Sequence, residues 1–113
     1  MNQVELKNKM DLDERDLMRA LSEMVKLVAK HYIFFNKTQG ETDVRKVATA
    51  LVHVDDVPSL LADMEHVEHV VAEAIEALKK SQDELDAAFP YARSDEEKNE
   101  DVMVLMQRRF INT

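Results

Sequence analysis

Residues 55–89 read DDVPSLLADMEHVEHVVAEAIEALKKSQDELDAAF, and this stretch decides the fold class. Val57, Leu60, Met64, Val67, Val71, Ala74, Leu78, Gln82, Leu85 and Phe89 recur at spacings of three and four, the pattern of a helix with one buried stripe. Asp55 and Asp56 suit the positive end of such a helix, Pro58 fits its first turn and Pro90 stops it. A helix over 58–89 spans about 48 Å at the helical rise. A globule of this length has a radius of gyration of about 13 Å, so the helix projects beyond a monomeric core unless a second chain covers its end. The sequence therefore predicts a homodimer.

Outward from that helix, the same periodicity continues on both sides. Leu17, Leu21, Met24, Val28, Tyr32 and Phe35 mark a first helix over 12–36, and Gly40 suits the left-handed position after it. Thr42 or Asp43 can cap a second helix over 43–54, in which Val44, Val47, Ala48, Leu51 and Val52 share a face. Ser94-Asp95-Glu96-Glu97 is a capping box that opens a fourth helix over 95–110, with Val102, Leu105, Met106 and Phe110 on its apolar side. Residues 1–11 read as a flexible N-terminal arm, and 12–113 as a single helical domain. The predicted class is all-α, a four-helix bundle-like domain with the first and third helices as the antiparallel pair. Only one Gly and two Pro occur, fewer than the turns of a sheet protein of 113 residues would require.

Composition removes several classes of function. A 45% hydrophobic share beside 34% charged residues belongs to a folded chain rather than a disordered one. The chain has no Cys, so disulfides, thiolate metal sites and cysteine nucleophiles are excluded. No apolar run of signal-peptide or membrane-spanning length is found, so a cytoplasmic location and no membrane association are expected. With Gly40 alone there is no glycine-rich phosphate loop, and Ser, His and Asp form no local catalytic motif, so no enzyme activity and no cofactor are expected.

Charge is sorted along the chain, and this carries the functional reading. Residues 1–54 hold nine basic and eight acidic side chains; residues 55–76 hold seven carboxylates and no Lys or Arg. On a projection at 100° per residue, with Met64 as zero, the apolar stripe lies between about −80° and about +60°. Glu65 and Asp83 fall at about 100°, Glu76 at about 120° and Glu73 at about 180°, with Glu68 at about 40° at the edge of the stripe, so that one flank of the long helix is a carboxylate ribbon. On the first helix Arg15, Arg19, Lys26, Lys30 and Lys37 occupy a narrow strip that points away from the core and, on this reading, does not pair with the long helix. The carboxylate ribbon reads as a docking face for a basic protein partner, and the cationic strip as its complement on another copy or another molecule. The function expected is that of a small acidic non-catalytic helical interaction protein: an adaptor, inhibitor or regulator.

Two alternatives compete. One is a modulator of nucleic-acid transactions, either as a mimic of the DNA phosphate backbone or as a component of a DNA-bound complex. Direct nucleic-acid binding is disfavoured by the net charge of −8 and by the lack of aromatic residues among the cations. The other is a metal-binding bundle, suggested by His66 and His69. A carboxylate-bridged di-metal bundle needs inward Glu-x-x-His motifs, whereas three residues before His53, His66 and His69 stand Ala50, Asp63 and His66. His66 and His69 also project outward. His31 reads as a helix-packing residue, and part of the cluster Tyr32-Ile33-Phe34-Phe35 as an interface, because one neighbour cannot cover every side of a helical turn. The seven Met residues read chiefly as core filling.

Overall fold

A computed structural model describes residues 1–99 and is helical throughout, with no strand among those residues. The helices are α1 (Gln3–Lys30), α2 (Tyr32–Thr38), α3 (Val44–Val52), α4 (Val57–Ala88) and α5 (Asp95–Asn99). The chain forms two compact units, one of Met1–Leu21 with the chain from Val70 onward, the other of Ser22–His69.

In the first unit α1 and α4 run antiparallel. Leu17, Leu21 and Leu78 form its core, with Met10, Ala74 and Ile75 against it. Lys9 pairs with Glu84 at 2.9 Å and the Ser81 hydroxyl donates to Asp13, so the number rises along α1 as it falls along α4. Leu78 and Leu85 have no exposed surface, and burying each such side chain contributes about 1.5–3 kcal/mol. Ser81 is only 1% exposed, and its bond to Asp13 supplies the partner that a buried hydroxyl requires.

The N-terminal residues depart from the expected flexible arm. Gln3 through Asp11 are the opening turns of α1, and Leu6 is buried at 6% exposure. The Asn2 side chain accepts from the Glu5 amide at 2.9 Å, the bond that starts a helix, and the stripe of α1 reaches back to Leu6 and Met10. The helix starts earlier than its periodicity predicts, because polar residues between Val4, Leu6 and Met10 weaken the apolar pattern there.

The other end of the first predicted helix also differs: a single element over 12–36 is divided at His31. The φ of −113° and ψ of 41° there leave the helical region, although His31 N–H to Leu27 at 3.0 Å and Phe35 N–H to His31 at 3.1 Å carry the chain across. Within the second unit Phe34, Ala50 and Leu60 form the core, packed by Phe35, Val47, Leu51 and Val54. Helix α3 thus turns Val47, Ala50 and Leu51 inward, and Val44 and Val52, assigned by sequence to its apolar face, are each 79% exposed. Helix α3 packs on α2, and with Val47, Ala50 and Leu51 turned inward, Val52 projects about 150° from the centre of that side and Val44, the first residue of the helix, about 70° from it.

Helix boundaries follow local chemistry closely. Asp43 caps α3 by accepting from Arg45 N–H at 2.9 Å, and Asp56 caps α4 through Ser59 N–H at 3.0 Å. Gly40, with φ of 70°, takes the left-handed position after α2. Ser94 accepts from Glu97 N–H at 3.1 Å, while the Glu97 carboxylate accepts from the Ser94 hydroxyl at 3.3 Å. Beyond Pro90 the buried Arg93 returns to grip Asp86 with two bonds, one from Nε at 2.9 Å. The remainder of the expected fourth helix, including Val102, Met103, Leu105, Met106, Arg108, Arg109 and Phe110, lies outside the described residues.

Two stability outcomes follow from this packing. Leu78→Ala lowers unfolding free energy by about 2–5 kcal/mol, while Val52→Ala stays within about 0.5 kcal/mol, as read by urea titration. Gly40→Ala meets no atom within 4 Å, so its cost of about 1–2 kcal/mol in the same titration arises from the left-handed backbone alone.

Candidate functional site

The five carboxylates singled out by sequence, Glu65, Glu68, Glu73, Glu76 and Asp83, all stand exposed on α4. Glu65 and Glu68 belong to the second unit; Glu73, Glu76 and Asp83 belong to the first. Glu65, Glu68 and Glu76 engage no cation among the described residues. Other acids of the same helix do. Glu84 meets Lys9, Asp86 meets Arg93, and Asp63 receives both Lys30 Nζ at 2.8 Å and His31 Nε2 at 2.9 Å. Helix α4 therefore carries two populations of carboxylate, one engaged internally and one turned outward.

The cationic strip is less uniform than the projection suggests. Arg19 lies 3.5 Å from Asp16 and Lys26 lies 3.3 Å from Glu23, both pairs within one turn of α1. Arg15 and Lys37 are exposed and form no ion pair among the described residues. Lys30 corrects the sequence reading, which had the whole strip pointing away from the long helix. Its flexible stem lets the ammonium reach the Asp63 carboxylate on α4.

Lys30, His31 and Asp63 form a cluster that the sequence did not reveal. Its residues lie 32 and 33 positions apart along the chain, so no local spacing links them. The His31 side chain is 12% exposed and Asp63 35%. Hydrogen bonds from His31 and then Lys30 hold the Asp63 carboxyl below its ordinary pKa. The bond from His31 secures the point where α1 gives way to α2, a packing role in line with the sequence reading of this histidine.

Beside the cluster lies a groove of about 530 Å³ within the second unit. Phe34, Ala50 and Val54 provide apolar walls, Lys30, Lys37 and His53 line it with basic groups, and Asp55 and Asp56 add carboxylates. The Asp56 Oδ1 also accepts the cap bond from Ser59 N–H. A shallower recess of about 210 Å³ includes His66 with Glu23, Lys26 and Asp63. Among the described residues no three ligand-type side chains converge to hold a metal ion. No helix among them is long and apolar enough to cross a membrane.

The engaged carboxylates set the acid response. Lys9 lowers the pKa of Glu84, and Arg93 lowers that of Asp86, as His31 and Lys30 lower that of Asp63. Each contributes fully above the ordinary carboxylate pKa of about 4 and loses its contribution as pH falls below it. The melting temperature accordingly drops between about pH 5 and pH 2, and Asp63→Asn makes the drop shallower while lowering the value at neutral pH. Thermal scans followed by circular dichroism measure both. No protein-family model matches the chain, and searches among curated proteins and solved structures likewise find no match.

Proposed function

We propose that this chain is a small acidic, non-catalytic helical interaction protein, an adaptor, inhibitor or regulator that binds a basic protein partner and associates with itself. The observation that supports the reading is the division among the carboxylates of α4. Asp63, Glu84 and Asp86 are neutralised by partners within the fold. Glu65, Glu68 and Glu76 remain exposed without a cation among the described residues, on the helix that carries most of the chain's net negative charge.

Such exposed groups are hydrated, so they supply long-range attraction and orientation more than contact energy. Their effect is greatest on the association rate and fades as salt screens it. Lys, Arg or a cationic helix is the chemistry they recognise. Among the described residues, the titratable groups with displaced pKa values, Lys9, Asp63, Glu84, Asp86 and Arg93, are tied in structural ion pairs, and this favours binding over catalysis.

The decisive experiment is affinity capture with the wild-type chain and with Glu65, Glu68, Glu73 and Glu76 changed together to Gln, at two salt concentrations. The wild type retains a basic partner at low salt and releases it as salt rises. The fourfold variant, with unaltered helical circular dichroism, binds that partner at least about tenfold more weakly, a change of roughly 1.4 kcal/mol. Equal capture by both proteins would show that these carboxylates only solvate the surface.

A further inference from the structure

The groove of the second unit carries charges of both signs around an apolar lining. Phe34, Ala50 and Val54 supply that lining, and Phe34 and Ala50 are buried in the core of the unit. The packing of α2 on α3 therefore holds the apolar surface in place before anything binds. Its volume of about 530 Å³ lies within the range of small-molecule sites, about 300–1,000 Å³, which are mostly apolar with a few polar groups that fix orientation.

Two lysines and two aspartates share the lining, Lys30 and Lys37 with Asp55 and Asp56, so their formal charges cancel. Two of the four already serve the fold. Lys30 Nζ bonds Asp63 at 2.8 Å, and Asp56 Oδ1 accepts the cap bond from Ser59 N–H at 3.0 Å. Lys37 and Asp55 remain, both exposed and without an ion pair among the described residues. They stand on different elements, Lys37 on α2 and Asp55 in the connection between α3 and α4, too far apart to pair with each other.

This pattern selects the charge of a ligand. An anion drawn to Lys37 also meets Asp55 and Asp56, and a cation drawn to Asp55 also meets Lys30 and Lys37. A neutral apolar molecule displaces water from the charged groups and gives nothing in return. A molecule with one charge of each sign, held apart by an apolar body, meets all of these demands. A free amino acid carries both charges on one carbon, whereas a dipeptide separates them. We propose that the groove binds apolar dipeptides with free termini. The carboxylate lies toward Lys37, the ammonium toward Asp55, and the side chains lie over Phe34, Ala50 and Val54, a capture of chain termini joined to apolar burial. The site is separate from the carboxylate ribbon of α4 and needs no second copy.

Titration of the isotope-labelled full chain, followed by its amide chemical shifts, tests the site with leucyl-phenylalanine, its N-acetyl form, its C-terminal amide and the form blocked at both ends. The free dipeptide shifts the amides of Phe34, Ala50 and Asp55 saturably. Each singly blocked form binds at least about threefold more weakly, the scale of an exposed ion pair, and the doubly blocked form more weakly still. Lys37→Met abolishes the difference between the free dipeptide and its amide, and Asp55→Asn abolishes that between the free dipeptide and its N-acetyl form. Both side chains are exposed, so both variants keep their helical circular dichroism. Should either lose helicity, the wild-type series of four probes decides. Weakening by only one of the two blocks, or by neither, overturns the zwitterionic ligand. Shifts that do not saturate, or that map outside the groove, overturn the site.

Discussion

Complete burial of Leu60, Leu78 and Leu85 is the constraint to which the rest of α4 answers. A helix is a rigid spiral of 3.6 residues per turn, so once these leucines face inward every other side chain on it has an assigned direction. Ser81, three residues after Leu78, is brought in beside the core and must find Asp13. Asp63, three after Leu60, is turned toward the end of α1 and meets Lys30 and His31. Glu65, Glu68 and Glu76 are left to water by the same geometry.

The polar contacts that accompany this burial set register more than they add stability. Lys9 and Glu84 are each more than one-third exposed, and pairs of that kind contribute little in water. Arg93 and Asp86 differ, since the guanidinium is 8% exposed and its desolvation must be offset by the paired bonds to the carboxylate. Their value lies in selectivity: leucine stripes alone tolerate a slip by a whole heptad, because one apolar layer resembles the next, whereas such a slip of α1 along α4 parts Ser81 from Asp13.

The second unit is organised around a different compromise. His31 departs from helical geometry, so α2 can lay Phe34 against Ala50 and Leu60. That core is small, and α1 in this unit leaves Met24 and Val28 at 42% exposure although the sequence places both on its buried stripe. A seven-residue repeat drifts by about 20° per heptad from the straight helix, so one neighbouring helix cannot cover the whole stripe. The uncovered portion and the outward carboxylates of α4 supply two surfaces of unlike chemistry, one apolar and one anionic.

By itself the sequence determined the elements whose cause is local. The stripe from Leu60 to Leu85 was legible because period and length both demand a helix, and Asp43, Gly40, Ser94 and the Asp56–Pro58 boundary were legible because a cap or left-handed turn requires particular residue types. The exposure of Glu65, Glu73, Glu76 and Asp83 was legible too, as residues outside the stripe, whereas Glu68 projects at its edge and is exposed because the neighbouring segment does not cover it. Only the tertiary structure decided what depends on two distant segments meeting. Ser81 lies at about −100° from Met64 on the projection, just past the expected edge of the stripe, and its burial follows from where α1 approaches. The division at His31, the reach of Lys30 to Asp63, the return of Arg93 to Asp86 and the exposure of Val44 and Val52 have the same origin. Periodicity reports which side of a helix is apolar, whereas the length and placement of the neighbouring helix decide how much of that side is covered.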